Sequence, residues 1–173
     1  MLQLVDPFVG AKDSYRSLLA EFASRGEEPV PYTLGYPHEN FPALVARLLA
    51  EREGIGLPEG WARNSTFWLM EGDAVVGVSN LRHRLTPDLS VVGGHIGYGI
   101  RPSARGRGHA KVLLRLTLME ASTLDIDRAL LTCAKDNLAS AAVIVANGGV
   151  LKDEAFVDSV ARVVQRYWVP TRG

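Results

Sequence analysis

The chain of 173 residues is 47% hydrophobic and 22% charged, values that are typical of one globular domain and argue against a disordered or fibrous protein. Its 19 basic and 19 acidic residues cancel, which argues against a nucleic-acid partner, because proteins that coat nucleic acid need a positive surface. No apolar run reaches the roughly 20 residues that cross a bilayer, and no signal-peptide pattern opens the chain, so we expect a cytoplasmic protein with no membrane partner.

The first third of the chain contains two helical patterns joined by an irregular connection. Residues 12–24 place apolar side chains at helical spacing, with Asp13 near the start as a cap. Residues 40–52 carry a second apolar stripe that ends at a pair of glycines. Between them, residues 26–37 contain three prolines and two glycines, which is typical of an irregular loop, and loops of this length often carry function.

Strand patterns occupy the middle of the chain. Residues 66–70 and 74–79 flank a turn at 71–73, which predicts a hairpin. Residues 91–100 predict another strand, with glycine at positions 93, 94, 97 and 99. This density of glycine indicates a bulge, or a ligand that approaches the backbone closely.

The last third alternates helices and strands. Residues 109–124 predict a helix, 129–133 a buried strand, 137–146 a helix of small residues, and 155–169 a final hairpin. Cys133 is the only cysteine, which excludes an intrachain disulfide and fits a reducing compartment, and its strand position favours packing over catalysis. The order of elements predicts an α/β (α+β mixed) fold, in which helices flank a central, mostly antiparallel mixed sheet.

The most informative segment joins the glycine-rich strand to the next helix. Pro102 stops the strand, Gly106 and Gly108 allow tight turns, and a helix starts at once. The first amides of that helix have no intrahelical partner, and they form a site for a phosphate or pyrophosphate at the positive end of the helix dipole. Further donors are supplied by Arg105, Arg107, His109 and Lys111.

Three other interpretations of this loop compete with a pyrophosphate site. A solvated turn before an amphipathic helix is the simplest, but four cations beside two glycines favour a ligand. A triphosphate-binding loop would need a Gly-Lys-Ser/Thr sequence, which is missing. A dinucleotide fingerprint is matched by Gly106 and Gly108, with Asp127 at a tolerable distance, but Lys111 occupies the third glycine position. A dinucleotide site is therefore the weaker alternative to a pyrophosphate site.

These residues resemble the signature of the GNAT superfamily of acetyl-CoA-dependent N-acetyltransferases, in which arginine or glutamine is followed by x-x-G-x-G/A. Here it stands as Arg105-Gly-Arg-Gly108-His-Ala110, and the resemblance extends over about residues 66–149 in the family's order of elements. It implies a GNAT-like fold, acetyl-CoA as co-substrate and no metal. The cofactor-binding residues that it implies are Ile100, Arg101, Arg105, Gly106, Arg107, Gly108, His109, Ala110, Lys111, Asn137 and Ser140.

The resemblance also implies that an amine attacks the thioester, so that a base or a water chain must take the amine proton. Many family members place a glutamate on the glycine-rich strand for this task, but residues 91–100 contain none. His95 is the candidate base in that strand, and His83 on the preceding strand is the second. Either histidine is equally explained as a strand residue that makes a hydrogen bond.

The usual acid of the family is a tyrosine on the helix that follows Asn137, but this chain has Ile144 at that place. Tyr98 alternates in phase with its isoleucine neighbours, which is typical of a core position. Tyr167 on the last hairpin is the candidate acid that reaches the cleft.

The family's acceptor pocket usually has the first two helices and their connection as one wall. Aromatic and acidic side chains in this region suit a cationic amine, although each is equally explained by packing on the sheet. The sequence does not distinguish a small-molecule amine from a peptide amine. The residues implied are Tyr32, Tyr36, His38, Glu39 and Trp61.

We therefore predict an N-acetyltransferase that moves an acetyl group from acetyl-CoA to a primary amine. The missing strand glutamate and helix tyrosine leave a non-catalytic acyl-CoA sensor as the alternative. A single domain is expected over residues 1–173, with a helical acceptor-side region at 1–60, an acetyl-CoA-binding core at 65–150 and a C-terminal hairpin at 151–173. A homodimer is plausible from the family resemblance, but no sequence feature requires one.

Overall fold

The computed structural model describes residues 1–172, so Gly173, the end of the predicted C-terminal segment, lies outside the described residues. The α-helices are α1 Lys12–Ser24, α2 Phe41–Ala50, α3 Pro87–Val91, α4 His109–Thr123 and α5 Leu138–Ala146. The strands are β1 Leu2–Val5, β2 Asn64–Glu71, β3 Ala74–Arg82, β4 Ile96–Ile100, β5 Arg128–Ala134, β6 Val150–Val157 and β7 Arg162–Pro170. None of these helices has the length and apolarity to cross a membrane.

The strands form two antiparallel sheets that meet at β4 and β5. One sheet has the order β1-β2-β3-β4 and the other has the order β5-β7-β6. The His95 N–H donates to the Leu130 carbonyl at 2.7 Å, and within residues 1–172 no other backbone hydrogen bond joins the two sheets at this seam. Beyond this point β4 and β5 separate, which opens a cleft. The helix-flanked, mostly antiparallel fold confirms the predicted class.

Helices cover both faces of the first sheet. On one face α1 and α2 bury an aromatic cluster of Tyr15, Phe41 and Trp68. On the other face α4 packs through Leu114, and its Thr117 hydroxyl lies 2.7 Å from the Ser79 hydroxyl on β3. Because α4 is fixed along its length by these contacts, its N-terminal end has a defined position beside the cleft.

The predicted strand over residues 91–100 is shorter than expected. Thr86 caps a helix by accepting the Leu89 N–H at 3.2 Å, and Pro87 occupies the first helical turn, so residues 87–91 form α3 instead. Gly93 and Gly94 then adopt φ values of +106° and +62°, which turn the chain into β4. Strand β1 was not predicted, because four residues are too few to show a clear period.

The close approach indicated by the glycines of β4 is made by the chain itself. A Cβ atom on Gly99 would lie 2.1 Å from the Val30 carbonyl oxygen, and one on Gly97 would lie 3.4 Å from Pro31. The α1–α2 connection therefore crosses directly over β4, and it lies against the face of the strand where the glycines leave space. This contact places the connection at the edge of the cleft.

Candidate active site

The loop before α4 presents a row of free backbone donors. Gly106 and Gly108 have φ values of +75° and +80°, and the space where a Cβ would lie is open at both positions. Within residues 1–172, the amides from Gly106 to Ala110 have no hydrogen-bond acceptor. Since α4 begins at His109, these donors stand at the positive end of its dipole. The residues present therefore fit a bound pyrophosphate.

The predicted cations of this loop point in different directions. Arg105 faces the cleft, where its Nε donates to the Ile100 carbonyl at 3.3 Å and its guanidinium pairs with Glu27 at 2.6 Å. Arg107 turns away and pairs with Glu71 at 3.0 Å on the neighbouring strand. The Arg107 amide remains free, but the Arg107 side chain does not line the groove that begins at this loop.

A groove of about 710 Å³ runs from this loop to the cleft; we call it the cofactor groove. Asn137 and Ser140, predicted from the family resemblance, line the same groove as the loop. Asn137 also caps α5 by accepting the Ser140 N–H at 3.1 Å, which fixes both residues at the helix start. The other lining residues include Val30, Tyr98, Ile100, Arg105, Gly106, Gly108, His109, Ala110 and Lys111.

The edge of β4 that faces the groove has backbone groups that do not pair with β3, of which the Ile100 carbonyl accepts from Arg105. The Arg101 N–H donates to the Val76 carbonyl on β3 at 2.9 Å. Because bonded positions alternate in an antiparallel ladder, Tyr98 and Ile100 direct their N–H and C=O groups away from β3 and into the cleft. This edge can therefore pair with an extended amide-containing ligand as an added strand.

A second cavity of about 570 Å³, the reaction cavity, lies between β4 and β5. It shares Tyr98, Asn137 and Ser140 with the cofactor groove, so the two spaces adjoin at these residues. The Tyr98 hydroxyl lies 3.0 Å from the Ser140 hydroxyl, and burial raises the pKa of Tyr98 to about 12. Cys133 is part of the cavity wall and is a buried free thiol, and burial raises its pKa.

A third cavity of about 510 Å³, the acceptor cavity, opens beside the reaction cavity, and both are lined by Tyr32 and Arg82. The Tyr32 and Trp61 rings meet edge to face with centroids 5.9 Å apart, so the structure brings these two predicted residues together. Tyr36 instead donates to Glu51 at 3.0 Å. Arg82 was not proposed from the sequence, because nothing local marks an arginine at a strand end as a site residue. The remaining lining residues are Glu59, Gly60, Ala62, Thr86, Pro87, Asp88 and Leu89.

His38 and Glu39 line none of the three cavities. Their carbonyl groups accept from Arg16 at 2.9 and 3.1 Å, which ties the start of α2 to α1. These two residues therefore belong to the scaffold around the α1–α2 connection.

His95 occupies the seam between the sheets. Its Nδ1 accepts the Leu130 N–H at 2.9 Å, which uses the one lone-pair nitrogen of a neutral imidazole. Burial, and then the nearby Arg82 charge, lower the pKa of His95 to about 4. The ring completes the hydrogen bonding of the seam, and this geometry argues against the predicted role as general base.

His83 is not brought to the cleft. Its Nε2 lies 2.8 Å from the Ser65 hydroxyl, in a separate cavity that includes Glu120 and Leu124 near the C-terminal end of α4. Helix α4 has 15 residues and is therefore about 22 Å long. The loop with Gly106 and Gly108, the glycine loop, lies at its opposite end. His83 also lines a cavity that includes Trp61 of the acceptor cavity. It therefore lies next to the acceptor cavity, but it lines neither that cavity, the reaction cavity nor the cofactor groove.

Two further predicted residues also point elsewhere. Tyr167 is 5% exposed, packs in the core between the second sheet and α5, and donates to Gln165 at 2.7 Å. Arg101 donates from its guanidinium to the Ser14 carbonyl at 2.7 Å, which ties β4 to α1. Neither side chain lines the groove or its two neighbouring cavities. In the described part of the chain, no three metal-ligating side chains cluster.

The sequence matches a family model described as an acetyltransferase (GNAT) domain over residues 12–150. The fold is similar to the microcin C7 self-immunity acetyltransferase MccE bound to acetyl-CoA and AMP, with a TM-score of 0.71, 12% identity, and coverage of 98% of this chain and 92% of that chain. Mycobacterium smegmatis RimJ in complex with CoA-disulfide gives a TM-score of 0.70 at 20% identity, with 98% and 81% covered.

A third similar structure is the Salmonella typhimurium acetyltransferase that modifies the N-terminal serine of ribosomal protein L7/L12. Its TM-score is 0.69 at 17% identity, with 98% of this chain and 94% of that chain covered. No curated protein sequence matches the chain significantly. The family model covers most of the chain, and the similar folds agree with it. The chain belongs to the GNAT acetyltransferase family.

Proposed function

We propose that the protein transfers an acetyl group from acetyl-CoA to a primary amine by direct attack on the thioester. One observation carries this proposal: the loop with Gly106 and Gly108 lines the cofactor groove, and this groove adjoins the reaction cavity at Tyr98 and Ser140. The acceptor cavity adjoins the reaction cavity at Tyr32 and Arg82. Donor and acceptor would therefore approach the reaction cavity from opposite ends.

The groove supplies recognition groups along its length. The free amides from Gly106 to Ala110 would hold the pyrophosphate, with Arg105 and Lys111 as cationic donors. The free edge of β4 would pair with the amides of the pantetheine arm. This arrangement directs the thioester toward the reaction cavity, where β4 and β5 separate.

The reaction requires that the oxyanion of the tetrahedral intermediate is stabilised and that the departing CoA thiolate is protonated. The Tyr98 N–H faces the cleft and is placed to donate to the oxyanion of the tetrahedral intermediate. The Tyr98 hydroxyl, with its pKa raised to about 12, stays protonated near neutral pH, and with the Ser140 hydroxyl it can return a proton to the CoA sulfur. In the described chain no Asp or Glu lines the reaction cavity, so we assign removal of the amine proton to water in the acceptor cavity.

The first experiment is calorimetric titration of the full chain with acetyl-CoA, with NAD as control. The second follows the release of CoA thiol over a panel of amines. Micromolar binding of acetyl-CoA together with turnover is the expected result. Binding without turnover on any amine would instead establish the sensor. Binding of NAD without acetyl-CoA would refute both readings and favour a dinucleotide site.

A further inference from the structure

Arg82 lies at the end of β3 with its side chain between the reaction cavity and the acceptor cavity. Its Nη1 donates to the Gly93 carbonyl at 3.1 Å, and its guanidinium carbon lies 5.4 Å from the centre of the Tyr32 ring. Both terminal nitrogens lie 3.4 Å from the place where a Cβ of Gly97 would stand. The guanidinium is therefore held against β4 at Gly97, and it lines the reaction cavity together with Tyr98.

The Arg82 charge has no partner in the described chain. No carboxylate of residues 1–172 lies within 4.0 Å of its guanidinium, whereas Arg101, Arg105 and Arg107 nearby each have one. Glu59 and Asp88, the two carboxylates of the acceptor cavity, are exposed and do not reach it. A partly buried charge without a carboxylate partner is costly, and burial lowers the pKa of Arg82.

The unused donors of this guanidinium open onto the cavities. Gly93 accepts one of the five N–H groups of the side chain. The other guanidinium nitrogens of Arg82 have no acceptor in the described chain, and none of them is fully enclosed by protein. They therefore remain accessible from the cavities. An external carboxylate can therefore approach them with the two parallel hydrogen bonds that guanidinium favours.

We infer that the acceptor is a free α-amino acid with an apolar side chain, and that its carboxylate binds Arg82. This inference rests on the proposed function. Arg82 and Tyr98 line the same reaction cavity, so an acceptor that places its anion on Arg82 and its amine at the thioester near Tyr98 needs a short link between the two groups, as in an α-amino acid. The acceptor cavity, with Tyr32, Trp61 and Leu89 in its wall, is the space that the apolar side chain would occupy.

The test compares acceptors that differ only at the carboxylate. L-phenylalanine, L-tryptophan, L-leucine and L-methionine are each assayed against their amides and their decarboxylated amines, with acetyl-CoA saturating. We expect at least one amino acid to exceed its amide and amine in kcat/KM by about 30-fold or more, since a charged hydrogen-bonded pair is lost. Titration of the same compounds into the protein–CoA complex should show the same order of affinity.

Arg82→Gln should lower kcat/KM for the amino acid to the level of its amine, without changing the Kd of acetyl-CoA. Arg82→Lys keeps a point charge without the planar guanidinium, so it should retain part of the preference for the amino acid over its amine. This variant replaces Arg82→Gln in the test if Arg82→Gln does not fold. Arg128→Gln is the control, because Arg128 is exposed and stacks on Trp168 away from the three cavities. Thermal unfolding confirms that each variant is folded.

The inference is overturned if amines or amides react as well as the amino acids, if no amino acid binds or reacts, or if the preference survives in Arg82→Gln. Failure of the proposed function is separate, since it would appear as an absence of acetyl-CoA binding or of turnover on every amine.

Discussion

The glycine loop can be tested by a pair of substitutions that differ in charge alone. Gly108 has a φ of +80° and open space where a side chain would stand, and asparagine and aspartate both tolerate this left-handed conformation. Gly108→Asn and Gly108→Asp should therefore share the same backbone cost and the same bulk. Only the aspartate brings a negative charge to the bound pyrophosphate.

The size of the effect follows from the position of the loop. Two unit charges about 4 Å apart repel by about 1 kcal/mol in water and about 4 kcal/mol at an effective dielectric constant of 20. For this exposed loop we take ~2 kcal/mol, which corresponds to about a 30-fold difference in Kd between the two variants. The wild type should bind more tightly than either.

The assay is calorimetric titration with acetyl-CoA at 0.15 M and 1 M salt. The Debye length falls from about 8 Å to about 3 Å over this range, so the gap between Gly108→Asp and Gly108→Asn should narrow. Equal melting temperatures of the two variants would show that the difference arises in binding. Equal Kd values for the two variants at low salt would refute the pyrophosphate site.

Three further predictions concern the seam, the acid and the glycines of β4. The contribution of His95 to the stability of the wild type should be fully present above pH 6.5 and be lost as the pH falls toward 4, because the folded-state pKa of His95 is about 4 and its ordinary value is 6.5. His95→Asn, which keeps an acceptor and does not titrate, should lose less stability in urea unfolding over that window and should keep acetyl transfer at neutral pH; loss of transfer would restore His95 as the base. Tyr98→Phe should lower kcat by about 10- to 100-fold with little change in the Kd of acetyl-CoA, and an unchanged kcat in the thiol-release assay would remove Tyr98 as the acid. Gly99→Ala places a Cβ 2.1 Å from a loop carbonyl and should destabilise the fold by about 1–3 kcal/mol; Gly35→Ala, where nothing lies within 4 Å, is the control, and equal melting temperatures would contradict the close contact.

Most helices and the main hairpin were predictable because their signals are local. Apolar spacing indicated the helices that became α1, α2 and α4, and the turn at residues 71–73 indicated the hairpin of β2 and β3. The strand predicted over residues 91–100 failed in its first half, where a capping threonine and a proline favoured the short helix α3. The apolar period of a segment does not show whether a helix cap or the strand propensity of its residues decides the structure.

The sequence by itself determined the loop at residues 105–110 and the family, because glycine conformation and free amides at a helix start are properties of adjacent residues. Only the tertiary structure decided which side chains share the cleft. Tyr98 meets Ser140 across 42 positions, and His95 meets Leu130 across 35, where the splay of two sheets sets the geometry. The same packing places Arg82 beside β4 with no carboxylate near it. Whether a charge has a partner depends on which side chains folding brings next to it, so the sequence does not show it.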